Sequence, residues 1–239
     1  MSTPTIFERK EVKYFVTNRQ RAMLQDLMDE HMCPDSFGRA TIMNIYYDTE
    51  DKQLIRHSLE KPVYKEKLRV RSYGVAKPDT KVFVELKKKY NGIVYKRRVS
   101  MSQYHARLWL EENVAAPTQT QITQEIDHFS QRYSLQPSVL LSYQREAYFG
   151  KEDSNFRLTF DHTILWRDYD ISLCSGAYGN ELLPQGVQLL EVKSTYGMPL
   201  WLSKFFSENG IYSTSYSKYG SAYKAIRQND IVKRRKHSA

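Results

Sequence analysis

Alternation of charge and apolar bulk along short β-prone segments constrains this chain more than any other feature. In Tyr64–Tyr73 the odd positions Lys65, Lys67, Arg69 and Arg71 share one face, with Leu68 and Val70 on the other. In Lys81–Lys89, Val82, Val84 and Leu86 line one side while Glu85 and Lys87 share the opposite one. Phe156, Leu158 and Phe160 alternate with Arg157, Thr159 and Asp161, and Leu190 and Val192 with Glu191 and Lys193. The first segment repeats the theme, Arg9, Glu11 and Lys13 standing against Val12 and Tyr14. A period of two means strands with one face in a core. An antiparallel sheet that wets one side alternates likewise. Here, however, the charged faces are dominated by cations, whereas a solvated face mixes both signs. If such strands curve into a closed sheet, the charged sides face one another across a lumen. Cations crowded there repel, and a bound polyanion offsets the repulsion, with an occasional carboxylate left to hold a counter-metal. The implied ligand is a chain of phosphates with Mn²⁺ or Mg²⁺, hard cations that prefer oxygen donors. Arg145 shares its parity with Val139, Leu141 and Tyr143, so periodicity alone does not bring it to that face.

The remaining segments complete an α+β reading. Strands are expected at Phe7–Thr17, Ala40–Asp48, Val63–Tyr73, Lys81–Tyr90, Gly92–Met101, Val139–Phe149, Phe156–Arg167 and Gly186–Ser194, with a tight hairpin at Asn91-Gly92. Helices are expected at Arg19–His31 (capped by Asn18 and ending before Pro34), His105–Asn113, Thr123–Tyr133, Pro199–Asn209 and Lys218–Lys233. The architecture that follows is an antiparallel β-barrel or tunnel with helices packed around the outside. It forms one domain over residues 1–239, with a helical excursion at about 102–133 and a basic tail at about 233–239.

Lys and Arg together number 36 against 27 Asp and Glu, a net charge of +9, so nucleic acid, anionic lipid or phosphate are the partners that charge permits. Two cysteines, Cys33 and Cys174, fit neither a disulfide framework nor a zinc site and are expected as reduced, partly buried thiols. The N-terminal residues lack the apolar core of a signal peptide and no run is long enough to span a membrane, so a cytoplasmic protein is expected. No Gly-x4-Gly-Lys-Ser/Thr, Gly-x-Gly-x-x-Gly or His-Glu-x-x-His occurs, and His31, His57, His105, His128, His162 and His237 lack metal-ligand spacing. No nucleic-acid motif is present, so nucleic acid is not an expected partner.

Eight motifs occur in order: Arg9-Lys-Glu-Val-Lys-Tyr14, Lys67-Leu-Arg-Val-Arg71, Val84-Glu-Leu-Lys87, Lys96-Arg-Arg98, Tyr143-Gln-Arg-Glu-Ala-Tyr148, Phe156-Arg-Leu-Thr-Phe-Asp161, Leu190-Glu-Val-Lys193 and Ser217-Lys-Tyr-Gly220. Together they resemble the VTC-domain polyphosphate polymerases of the triphosphate tunnel metalloenzyme (CYTH-like) superfamily. The resemblance implies an ATP:polyphosphate phosphotransferase that adds the γ-phosphoryl group of ATP to inorganic polyphosphate and releases ADP. It implies catalytic roles for Lys13, Arg69, Arg71, Lys87, Arg145 and Lys218, and substrate binding by Arg9, Lys67, Lys96, Arg98, Arg157 and Lys193. Glu191 resembles the metal-holding carboxylate, with Glu11 and Glu85 as helpers. Hydrolytic members of the superfamily open with Glu-x-Glu-x-Lys, whereas this chain reads Arg9-Lys-Glu11-Val-Lys13. A cation in the first carboxylate position argues for the polymerase branch. Two alternatives remain open: a tunnel-fold triphosphatase or polyphosphatase using the same cations, and a non-catalytic polyanion-binding module in which tyrosines stack among basic residues. Glu85 and Glu191 would weaken pure polyanion binding, and the Lys233-Arg-Arg-Lys tail offers only weak contacts.

Overall fold

The alternation becomes a sheet in the computed structural model, which describes residues 10–91 and 93–237. Arg9, Gly92 and the side chains from Lys233 onward lie outside the described residues. Among the described residues the strands, in hydrogen-bonded order, are β10 (Ser213–Thr214), β1 (Lys10–Thr17), β9 (Val187–Ser194), β7 (Arg157–Arg167), β6 (Gln136–Gly150), β2 (Met32–Asp48), β3 (Tyr64–Tyr73), β4 (Lys81–Tyr90) and β5 (Ile93–Ser102), with β8 (Asn180–Glu181) beside β7. The chain divides into two compact units, one of residues up to 40, 144–163 and 183–216, the other of 41–143, 164–182 and 217–239.

In the first unit β1 (Lys10–Thr17) runs antiparallel to β9 (Val187–Ser194), and β9 antiparallel to β7 (Arg157–Arg167); the short β10 (Ser213–Thr214) borders β1. The apolar parity of these strands (Tyr14, Val16, Leu158, Phe160, Leu190, Val192) is buried with Leu24 and Met28 of α1 (Asn18–His31) and Leu202, Phe205 and Phe206 of α5 (Leu200–Glu208). Leu24, Leu158, Leu190 and Leu202 are fully buried, and each such leucine contributes about 2 kcal/mol of transfer free energy. The helices cover the apolar parity, which leaves the charged parity for other work. The cap of α1 is Thr17 rather than Asn18: its hydroxyl accepts from the Gln20 amide at 3.2 Å, and Gln20 Oε1 accepts from the Thr17 amide at 2.9 Å.

The second unit is a meander of β2 (Met32–Asp48, from residue 41 on), β3 (Tyr64–Tyr73), β4 (Lys81–Tyr90) and β5 (Ile93–Ser102). Met43, Ile45, Leu68, Val70, Val82, Val84 and Leu86 pack with Trp109 and Leu110 of α3 (Gln103–Glu111) and Ile126 and Phe129 of α4 (Gln121–Tyr133). A second cluster joins Val139 and Leu141 of β6 (Gln136–Gly150) and Trp166 of β7 to Ile55 of α2 (Gln53–Leu59) and Tyr219, Ala222 and Ile226 of α6 (Lys218–His237). Helix α6 thus extends through most of the expected tail. Helix α2, β10 and β8 (Asn180–Glu181) had no period to announce them. Arg167, fully buried, donates to the carbonyls of Asp170, Ser172, Gly176 and Tyr178 and so organises the segment that leads to β8. Cys33 and Cys174 are both free thiols; Cys33 is half-buried, but Cys174 is exposed rather than partly buried. Among the described residues no helix is long and apolar enough to cross a membrane.

Candidate phosphate-binding and metal-holding faces

In the second unit, register turns the sequence alternation into cross-strand rows. Lys67 lies opposite Lys87, which lies opposite Lys96. The next row is Tyr46, Arg69, Glu85 and Arg98, and the one beyond is Asn44, Arg71, Phe83 and Ser100. Neighbouring strands run about 5 Å apart, and two unit charges at that distance repel by about 3 kcal/mol at the effective dielectric of a protein surface. A row of three lysines therefore needs counter-charge, and for Lys96 that is Glu85.

Glu85 is the counter-charge inside this face, and it is buried (1 % exposed). Its Oε2 accepts from Arg69 Nε at 2.7 Å, and its Oε1 from Arg98 Nε at 2.6 Å and Lys96 Nζ at 2.6 Å. Burial pushes the carboxyl up, but Arg69, Arg71 and Lys96 outweigh it and hold Glu85 well below the usual carboxylate range. Three cations share one anion, so the cluster keeps a positive excess. Both carboxylate oxygens are committed to cations. Burial, reinforced by Arg98 and Arg69, lowers Lys96 despite Glu85.

Arg71 is also buried; its Nε donates to Asn44 Oδ1 at 2.9 Å and its Nη2 to the Tyr143 hydroxyl at 3.2 Å. Lys218, on the first turn of α6, has its Nζ 4.7 Å from the centre of the Tyr143 ring. Arg69 Nη1 donates to the Tyr46 hydroxyl at 3.2 Å. Burial pushes the Tyr46 phenol up, but Arg69, Lys67 and Arg71 outweigh it and lower it to about 8.

In the first unit, register places Glu11 opposite Lys193 and Arg157 in one row, and Lys13 opposite Glu191 and Thr159 in the next. Lys13 Nζ lies 3.6 Å from Glu11 and 3.8 Å from Glu191; Lys193 Nζ lies 3.7 Å and 3.9 Å from the same two carboxylates. Lys13 also donates to the Tyr216 carbonyl at 3.1 Å. Arg145 forks onto Asp161, both bonds 2.6 Å, and reaches Glu191 at 3.2 Å. Arg157 is exposed. His162 meets Arg39 and Glu146, within 2.9 Å and 4.0 Å respectively.

Among the described residues no three His, Cys, Asp or Glu side chains gather as a metal cluster. Glu11 and Glu191 nevertheless converge on the same pair of ammonium groups. Beside Glu191 in register stands Thr159, whose buried hydroxyl has no hydrogen-bond partner. Two carboxylates and a spare hydroxyl make an all-oxygen donor set, which fits Mg²⁺ or Mn²⁺ with its remaining positions left to water and phosphate.

The second unit thus holds Lys67, Arg69, Arg71, Glu85, Lys87, Lys96, Arg98 and Lys218, and the first holds Glu11, Lys13, Arg145, Arg157, Glu191 and Lys193. Sequence reasoning missed Asp161 as the partner of Arg145, although its parity with Arg157 was a usable signal. It also missed Asn44 and Tyr46, which carry no charge to draw notice.

The VTC domain family model matches residues 8–227. No curated protein matches the sequence. Among solved structures, a Bacillus halodurans protein described as a candidate adenylate cyclase shares 16% identity at a TM-score of 0.53, over 87% of this chain and 95% of its own. A Hippeastrum candidate adenylyl cyclase, reported to have a dominant triphosphatase activity, shares 15% identity at a TM-score of 0.52, over 90% of this chain and 95% of its own. These likenesses are of fold: the chain has the triphosphate tunnel, CYTH-like fold expected from its sequence.

Proposed function

The chain belongs to the VTC domain family, and from that membership we propose that it is a metal-dependent polyphosphate polymerase, transferring the γ-phosphoryl group of ATP to inorganic polyphosphate. The observation that carries the reading is the set of cation rows in the second unit, Lys67–Lys87–Lys96 above Arg69 and Arg98. Arg69, Arg98 and Lys96 share the single carboxylate of Glu85, and a linear chain of phosphates matches the positive excess that remains. Arginines hold phosphate oxygens in a fixed fork and lysines act as point charges. In the reaction a terminal oxygen of the chain attacks the γ-phosphorus. The new P–O bond forms as the bond to the β-phosphate oxygen breaks, and the electron pair leaves with ADP. Anion must attack anion, so the main task of the protein is to neutralise and orient. Arg69, Arg71, Lys87, Lys96 and Arg98 do this along the chain, and Lys13, Lys193 and Arg157 do so at the metal-holding face. Bound by Glu11 and Glu191, Mn²⁺ or Mg²⁺ would neutralise phosphoryl oxygens further. Glu85 serves here as the organiser of Arg69, Arg98 and Lys96 rather than as a metal ligand, since both its oxygens are already taken. Arg9 in place of a first carboxylate favours a phosphate acceptor over a metal-activated water.

The test is an ATP assay with Mn²⁺ or Mg²⁺ that follows both polymer and free phosphate. Polymer with equimolar ADP is expected, and Arg69→Ala or Glu191→Gln should lower kcat/KM by about 100-fold. Phosphate release without polymer overturns the polymerase reading in favour of a triphosphatase. Tripolyphosphate binding that Glu191→Gln leaves unimpaired, with no turnover by the wild type, favours a binding module.

A further inference from the structure

The Ser217-Lys-Tyr-Gly220 motif sends its two central side chains to different tasks. Lys218 meets the Tyr143 ring. Tyr219 is buried, and its hydroxyl donates to Asp48 Oδ2 at 2.8 Å and meets Ser138 Oγ at 3.0 Å. Asp48 is fully buried and immobilised by the amides of Thr49, Leu54 and Ile55, at 2.8, 2.8 and 3.0 Å. Lys52 Nζ donates to the same Ser138 hydroxyl at 2.9 Å. Gly220 lets α6 approach α2: a Cβ there would stand 2.9 Å from Leu59 Cδ2. The Tyr219 ring, so fixed, stacks on Tyr46 with centroids 4.6 Å apart and planes 19° from parallel. Tyr46 in turn accepts from Arg69 Nη1, whose Nε is committed to Glu85. A continuous chain of contacts runs from α2 through Asp48, Tyr219 and Tyr46 to the guanidinium of Arg69.

We infer that Tyr46 and Tyr219 are positioning residues through which the C-terminal helix sets the orientation of Arg69 toward phosphate. Neither touches the anion. Arg69 binds through a planar fork whose value depends on angle as well as distance. Two of its three nitrogens are fixed from opposite sides, by a carboxylate and by a phenol that is itself clamped by a stacked ring. Removing either hydroxyl frees the guanidinium to rotate, and the loss is felt as weaker phosphate binding. The inference rests on the reading of this face as a phosphate site.

The experiment measures tripolyphosphate affinity by calorimetry on the full chain, with thermal unfolding alongside. Tyr46→Phe and Tyr219→Phe should each weaken binding by about fivefold, the worth of one net hydrogen bond. In an Arg69→Ala background the same substitutions should change affinity by less than twofold, because the residue they act through is gone. Equal losses with and without Arg69, or no loss in the wild-type background, overturn the inference. Should Tyr219→Phe fail to fold, Tyr46→Phe, at a half-buried position, carries the test alone. If Arg69→Ala itself leaves affinity unchanged, the phosphate-site reading fails and takes the inference with it; if Arg69→Ala weakens binding but the tyrosine variants do not, only the inference fails.

Discussion

Glu85 shares its two oxygens among Arg69, Arg98 and Lys96, and that stoichiometry sets what its removal does. Its carboxyl is held below its ordinary value in the folded chain, burial opposing and Arg69, Arg71 and Lys96 prevailing. The stability it contributes is therefore present above the unfolded carboxylate range and is lost as pH falls below that range. Glu85→Gln should cost about 3 kcal/mol, as when one partner leaves a buried ion pair, seen as a drop in melting temperature of about 9 °C for a chain of this size. Tripolyphosphate should restore more of the melting temperature of Glu85→Gln than it adds to the wild type, since the ligand replaces the missing anion. Tyr46 has the same pH sign in a higher range. Burial raises its phenol, but Arg69, Lys67 and Arg71 bring it down to about 8. Because the unfolded phenol ionises near 10, the folded state loses this proton first, and the contribution to stability grows as pH rises from 8 to 10. Tripolyphosphate affinity should fall over the same interval, since tyrosinate adds negative charge beside Arg69. Of the 18 tyrosines, one should titrate near pH 8 by tyrosinate absorbance, and Tyr46→Phe should abolish that step.

At the scale of elements, what the sequence disclosed depended on how many faces of each strand are buried. Strands β3 and β4 have one apolar and one charged side, so their period of two exposed Arg69, Arg71, Glu85 and Lys87 directly. Strand β6 is buried continuously from Ser138 to Tyr143, and two-sided burial erases alternation. Arg145 therefore stood on an apolar parity, and its partner Asp161 had to come from another strand. Helix α2 was invisible for a different reason: the amides of Leu54 and Ile55 bond Asp48, which precedes the helix by several residues. The displaced cap of α1 is a smaller error, Thr17 and Asn18 being adjacent and both able to cap. Arg167 supplies the prediction at this scale. Four carbonyls of the following segment depend on its guanidinium. Arg167→Leu should cost about 3 kcal/mol through the loss of its charge-assisted hydrogen bonds to these partly buried carbonyls. It should open residues 168–179 to limited proteolysis while tripolyphosphate affinity stays within about twofold of wild type.

For the whole molecule, the net charge of +9 understates the electrostatic load of the cation rows, because acids elsewhere dilute the count. An anion that binds only the folded chain stabilises it by mass action, about 2.7 kcal/mol at a hundred times its Kd. Tripolyphosphate at that level should raise the melting temperature by about 8 °C. Added chloride salt should shrink the shift, and a neutral osmolyte at equal osmolarity should not. The sequence disclosed the cation-rich strand faces and the family fold. It did not disclose the tyrosine and aspartate contacts that orient the cations, since those pair residues far apart in the chain.

The cross-strand rows carry a consequence for how such a chain can vary. Lys67, Lys87 and Lys96 share a face only because three strands keep one register. Inserting a single residue within β3 would turn every cation beyond it toward the apolar side and every leucine and valine toward water. A two-residue insertion would restore the faces and shift the rows by one rung. Length changes in relatives that retain this site should therefore be confined to the turns, or fall within strands in even steps. Odd insertions inside β3 or β4 should mark copies that have lost these cation rows.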